Sequence, residues 1–142
     1  MTQQEFFSVI KSKGARIWGP INQKAIEYTN IHLQQNQFAA LPTFMIDFYK
    51  QTSGINLGSA YIFGPSELPN GNHIPIPNII EINKNLSSVL KNQTIFGRND
   101  LFLFSFDSFG ICYMLNNTNL KVLKKYDDPI KSLYDCLIIG KL

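Results

Sequence analysis

Residues 41–54 read LPTFMIDFYKQTSG. Pro42 disfavours the α region at Leu41, so the chain enters the segment extended. Thr43 is placed to cap a helix through its hydroxyl. Phe44, Met45, Phe48 and Tyr49 then recur at helical spacing. Gly54 suits the left-handed turn that ends a helix. The segment predicts a short, very apolar helix with a defined start and stop.

The pattern extends in both directions. Thr2 and Glu5 form a capping box for a helix over 2–13, with Phe6, Val9 and Ile10 at helical spacing and Gly14 stopping it. Residues 15–21 read as a loop with apolar anchors, Ile17 and Trp18 among them. Asn22 can cap a second helix to about residue 36. After Gly54 the character changes, and residues 60–63 (AYIF) read as a strand. Residues 69–78, PNGNHIPIPN, form a surface loop rich in Pro, Asn and Gly. Residues 79–82 read as a short strand or extended piece, 83–91 as a short helix, and 94–96 as a strand.

The clearest β signal is a meander. Residues 101–106 (LFLFSF) form one strand and 107–110 (DSFG) its turn. Residues 111–115 (ICYML) return, and after a second turn residues 120–126 make a third strand. Asp127 or Asp128 can cap a last helix with Pro129 in its first turn. Its expected inner face is Ile130, Leu133, Tyr134, Leu137 and Ile138. Helices first, an antiparallel meander next and a closing helix last predict an α+β fold. The N-terminal helices and a C-terminal helix would pack on one face of a mainly antiparallel sheet.

The 142 residues suit a single domain spanning 1–142, and 44% hydrophobic content is ample for one core without disulfides. Cys112 and Cys136 lie in apolar segments and read as reduced core residues. With two distant histidines they make a poor zinc set. Residues 1–14 lack a basic stretch followed by an apolar run, so no secretory signal is expected. No run approaches the roughly 18 apolar residues that span a bilayer. The expected compartment is the cytoplasm, with no membrane partner. Net charge is +3. The lysines are spread out, Lys121, Lys124 and Lys125 being the closest group, so direct nucleic-acid binding is not expected.

Catalytic candidates are thin. His32 sits among glutamines in a predicted helix, and His73 in the 69–78 loop. Neither has a nucleophile or carboxylate at a telling spacing. Asp47, Glu67, Glu81 and Asp107 read as helix-surface or turn residues. No phosphate-cradling glycine motif occurs. No catalytic, cofactor or metal residue is therefore assigned. The residues singled out are aromatic. Trp18 is the only tryptophan. Tyr61 and Phe63 follow the apolar helix, and Phe109 stands at a turn tip between Ser108 and Gly110. Trp and Tyr are enriched at partner hot spots.

Taken in order over residues 20–140, the pieces resemble the SUKH superfamily of bacterial immunity proteins and their fungal cell-wall-regulator relatives. They are the helix before Leu41-Pro42, the Phe48-Tyr49 pair with Gly54, a strand and Phe63-Gly64-Pro65-Ser66-Glu67-Leu68, the 101–115 hairpin and the terminal helix. The resemblance implies an α+β fold with a central antiparallel sheet. It also implies a non-enzymatic role without cofactor: binding and neutralising a toxin domain, often a nuclease or deaminase. Immunity proteins against basic nucleases tend to be acidic. This chain is not, unless Asp127, Asp128 and Asp135 form a local acidic patch. The alternatives are a regulatory interaction module of the same fold, and an enzyme or small-ligand binder using His73.

Overall fold

A computed structural model describes residues 1–86 and 92–139. It has an α+β architecture. Seven antiparallel strands lie side by side in chain order: β1 (Arg16–Ile17), β2 (Ile55–Leu57), β3 (Ala60–Ile62), β4 (Gln93–Arg98), β5 (Phe102–Asp107), β6 (Cys112–Asn116) and β7 (Val122–Tyr126). Helices α1 (Gln3–Ser12), α2 (Gln23–Gln35), α3 (Thr43–Tyr49), α4 (Ile79–Asn85) and α5 (Pro129–Ile138) pack on the sheet.

The helix starts are set locally. Thr2 Oγ1 accepts from the Glu5 amide, and the Glu5 carboxylate accepts from the Thr2 amide. Asn22 Oδ1 accepts from the Ala25 amide, and Asp128 from the Ile130 amide with Pro129 in the first turn.

Residues 41–54 depart from expectation at both ends. Pro42, already extended at ψ 166°, is the cap of α3, and as a proline it offers no side-chain acceptor to the free amides there. Thr43 is instead the first helical residue. At the other end α3 stops at Tyr49, five positions before Gly54. Gly54, at φ +152°, runs into β2, and a Cβ there would lie 2.6 Å from Leu68 Cδ1 and 3.1 Å from the Ile62 carbonyl oxygen. The glycine serves a close backbone approach rather than a helix end.

Cross-strand register divides the sheet into two faces, because successive side chains alternate. One row runs Ile17, Ile55, Ile62, Gly97, Phe104, Met114, Lys124; its neighbour runs Arg16, Asn56, Tyr61, Arg98, Leu103, Leu115, Val122. The first row faces α5. At Gly97 a Cβ would meet Cys136 Sγ of α5 at 2.7 Å, so the helix seats directly on the backbone. Phe44 of α3 meets Phe96 and Phe106 edge-on over the same side.

Residues 79–82 form the first half of α4, not a strand. Asn78 Oδ1 accepts from the Glu81 amide, and Ile79, Ile80 and Asn83 are buried at helical spacing. The cap and this spacing outweigh the β-branched isoleucines. The expected helix at 83–91 overlaps the end of α4, and its remainder lies outside the described residues. Placing all helices on one face also needs correction. Ile82 of α4 and Leu86 just after it pack on the second face, in a cluster around Ile95 and Leu115 that Leu103 and Tyr113 also join. Residues 15–21 hold a two-residue strand, which exists only through its partner β2.

On α5 the inner face is rotated from expectation. Ser132, Leu133, Asp135, Cys136 and Leu137 are buried, while Ile130, Tyr134 and Ile138 are only partly so. Asp135 is the cause. Its carboxylate accepts from Tyr126 Oη at 2.8 Å and lies 3.0 Å from Lys131 Nζ and 3.5 Å from Lys124 Nζ. Asp135 therefore belongs to no surface acidic patch. Burial, and then the Asp135 carboxylate, push the Tyr126 hydroxyl pKa up.

Candidate partner-binding surface

Among the described residues, the second face of the sheet is only partly covered. Over its β4–β6 part, α4 shields Ile95 and Leu115. Over its β1–β4 part, the row Arg16, Asn56, Tyr61, Arg98 forms the base of a groove. The 69–78 loop makes the groove's wall. It is closed at its root by paired backbone bonds between Leu68 and Ile76, both 2.9 Å. Ile76 points in and is buried, whereas Ile74 is 87% exposed at the rim. A pocket of about 230 Å³ opens between Tyr61, Phe63, Ile74, Pro75, Pro77 and Arg98.

Arg16 is held rigidly. Its Nε and Nη2 donate to Asn56 Oδ1 at 2.9 and 2.6 Å, and Nη2 donates to Asn70 Oδ1 at 2.8 Å. The guanidinium carbon sits 5.0 Å from the Trp18 ring centroid. Asn56 is itself fixed, donating to the Gly58 and Ala60 carbonyls. These partners are neutral amides, so they orient Arg16 without cancelling its charge. Among the described residues, neither Arg16 nor Arg98 joins an ion pair. The groove thus has a cation at each end of the row, with polar Asn56, Asn70 and His73 beside Arg16 and an apolar pocket beside Arg98.

The four aromatic candidates fall into different places. Tyr61 is half-buried in the groove, stacked on Phe63 with ring planes 7° apart. Phe63 is only 2% exposed and forms the floor, so as a direct contact it is corrected to a support for Tyr61. Its carbonyl accepts from the buried Tyr49 hydroxyl. Trp18 is half-buried, with its backbone tied to Gly54 and Thr52, and reaches the groove by stacking on Arg16. Phe109 is 87% exposed at the β5–β6 turn. That turn lies about six residues, roughly 20 Å, along the meander from Leu103, the neighbour of Arg98. Phe109 therefore does not share a surface with Tyr61.

Comparison with known proteins finds no family model and no curated protein that matches this chain.

The groove's other contributors escaped sequence reading. Arg16 and Arg98 lie 82 positions apart and meet only through strand register. Ile74 carried one signal, an isoleucine two positions before Ile76 in a loop rich in Pro, Asn and Gly. His73 lines the outer end of the groove. The His32 ring lies 4.1 Å from that of Tyr28, tilted by 43°, on the outside of α2. Asp107 holds its own turn, accepting from the Phe109 and Ile111 amides and the Tyr113 hydroxyl. Among the described residues no group of His, Cys, Asp and Glu is disposed to hold a metal ion, and no helix is long and apolar enough to cross a membrane. A rigid cation, an exposed cation and an apolar cleft suit recognition of an anionic partner surface.

Proposed function

We propose that this chain is a non-enzymatic immunity protein of the SUKH kind, which binds and neutralises a cognate bacterial toxin domain through the groove on the second sheet face. The observation that carries the reading is the pre-organised, charge-uncompensated Arg16 beside Tyr61 and Arg98. A side chain stacked on tryptophan and held by two asparagines loses little entropy on binding, so its contacts count in full toward affinity. The ordered motifs resembling SUKH proteins point to the same role. The cationic groove and the +3 charge favour a toxin with an acidic contact face over a basic nuclease surface.

The test is co-purification from native cells followed by rescue. A tagged chain is expected to retain one stoichiometric partner ending in a small toxin-like domain. Producing the chain should protect cells from that domain, and Tyr61→Ala with Arg98→Glu should abolish protection while the protein stays folded. Recovery of no such partner from cells expressing the neighbouring genes, or full protection by the folded double variant, would overturn the proposal.

A further inference from the structure

The groove's dimensions narrow what it can hold. Arg16 and Arg98 occupy one cross-strand row, on β1 and β4, with Asn56 and Tyr61 between them. Neighbouring strands are about 4.8 Å apart, so three spacings separate the two arginines by roughly 14 Å at the backbone. An extended chain advances about 3.4 Å per residue and points positions i, i+2 and i+4 to one side. Four residues therefore span the two arginines' backbone positions, and the residue midway comes down beside Tyr61, at the edge of the pocket.

Charge and shape agree on the occupant. Both arginines are exposed and, among the described residues, unpaired with any carboxylate. Between them on the row lie a buried amide and an aromatic ring rather than further cations, and an apolar pocket opens beside Tyr61 and Arg98. A nucleic-acid strand asks for a denser row of cations and free ring faces. Tyr61 already spends one ring face on Phe63.

Resting on the binding role proposed above, we infer that the groove takes an extended acidic segment of the partner laid across β1–β4. One carboxylate meets Arg16, a second carboxylate four residues along meets Arg98, and the apolar side chain midway enters the pocket beside Tyr61. Arg16, fixed by Asn56 and Asn70, supplies the register; Arg98, with no side-chain hydrogen bond among the described residues, adapts to the second acid.

The probe is the capped peptide Glu-Gly-Leu-Gly-Glu, titrated into the full-length ¹⁵N-labelled protein and followed by NMR. Saturable shifts are expected at the amides of Arg16, Asn56, Tyr61 and Arg98 and at both arginine Nε–H groups. Half-saturation should fall near the millimolar range. Arg98→Gln, on an exposed side chain, should weaken binding by about fivefold, and added salt should weaken it further. No shift up to about 10 mM would overturn the inference. So would equal shifts from Lys-Gly-Leu-Gly-Lys, from acetate alone, or tighter binding of an oligothymidine. Toxin protection that persists without a peptide response rejects the acidic segment and leaves the immunity role. A peptide response without any toxin partner rejects the immunity role and leaves a module that binds acidic segments.

Discussion

Asn83→Ala tests how α4 is fastened to the open side of β4. β5 pairs β4 along its length, but on the other side β3 pairs it only at Arg98 and Gly97, with Phe63 adding one bond to the Phe96 carbonyl. At Ile95 the missing strand is replaced by one side chain. Asn83 Oδ1 accepts from the Ile95 amide at 2.7 Å, and Nδ2 donates to the Ile95 and Ile79 carbonyls at 2.9 and 2.8 Å. Asn83 is 1% exposed and Ile95 fully buried, so water does not compete for these groups. Truncation removes all three bonds and orphans the amide and carbonyl of Ile95. At about 1–3 kcal/mol for each buried orphan, the loss is about 3 kcal/mol. For a chain of this size that lowers Tm by roughly 10 °C. Asn83→Asp should cost more, since it keeps the acceptor but sets a carboxylate against two carbonyl oxygens. Asn85→Ala, exposed on the same helix, should stay within about 0.5 kcal/mol. Urea unfolding followed by the single tryptophan, Trp18, measures all three, and hydrogen exchange reads the Ile95 amide directly. A loss under about 1 kcal/mol for Asn83→Ala, or an Ile95 amide that stays protected in it, would refute the bridging role.

Other substitutions separate support from contact. Phe63→Ala should cost about 3–5 kcal/mol in urea unfolding, because it empties the groove floor. Phe109→Ala, at a free turn tip, should stay within about 0.5 kcal/mol in the same assay and leave toxin protection unchanged. Gly97→Ala should cost about 1–3 kcal/mol, since its Cβ would lie 2.9 Å from the Tyr61 carbonyl oxygen as well as against Cys136. Stability should also fall at high pH. Burial pushes the Cys112 thiol from 9.0 up to about 11, against a lowering hydrogen bond from Ser132. The folded state therefore keeps its proton where the unfolded chain releases it. The contribution is intact below the unfolded value and is lost as pH climbs through 9 to 11, about 2–3 kcal/mol in all. Urea midpoints at about pH 8 and about pH 11 should differ, and by less in Cys112→Ala.

Much of the fold was legible because its determinants are local. The capping residues Thr2, Asn22 and Asp128 act within three positions of themselves, and the 101–126 meander announces itself through tight turns and alternation. The misreadings share one cause. Ile79 and Ile80 look like strand residues until Asn78 and the buried Asn83 are placed. Gly54 looks like a helix stop until Leu68 and Ile62 arrive from elsewhere in the chain. Asp135 looks like a solvent-facing acid until Tyr126 and Lys124 of β7 close on it.

The candidate surface was legible only in fragments. Tyr61 stood out as an aromatic after the apolar helix, but nothing in its neighbourhood distinguished it from Phe63, which turns out to be its floor. What the sequence alone determined is the α+β class, the main helices and the meander, since backbone capping, turn chemistry and periodicity operate over a few residues. What only the tertiary structure decided is which side chains share a surface. Strand register brings Arg16, Asn56, Tyr61 and Arg98 into one row across four strands. A slip of one residue in any pairing would turn that strand's member to the other face.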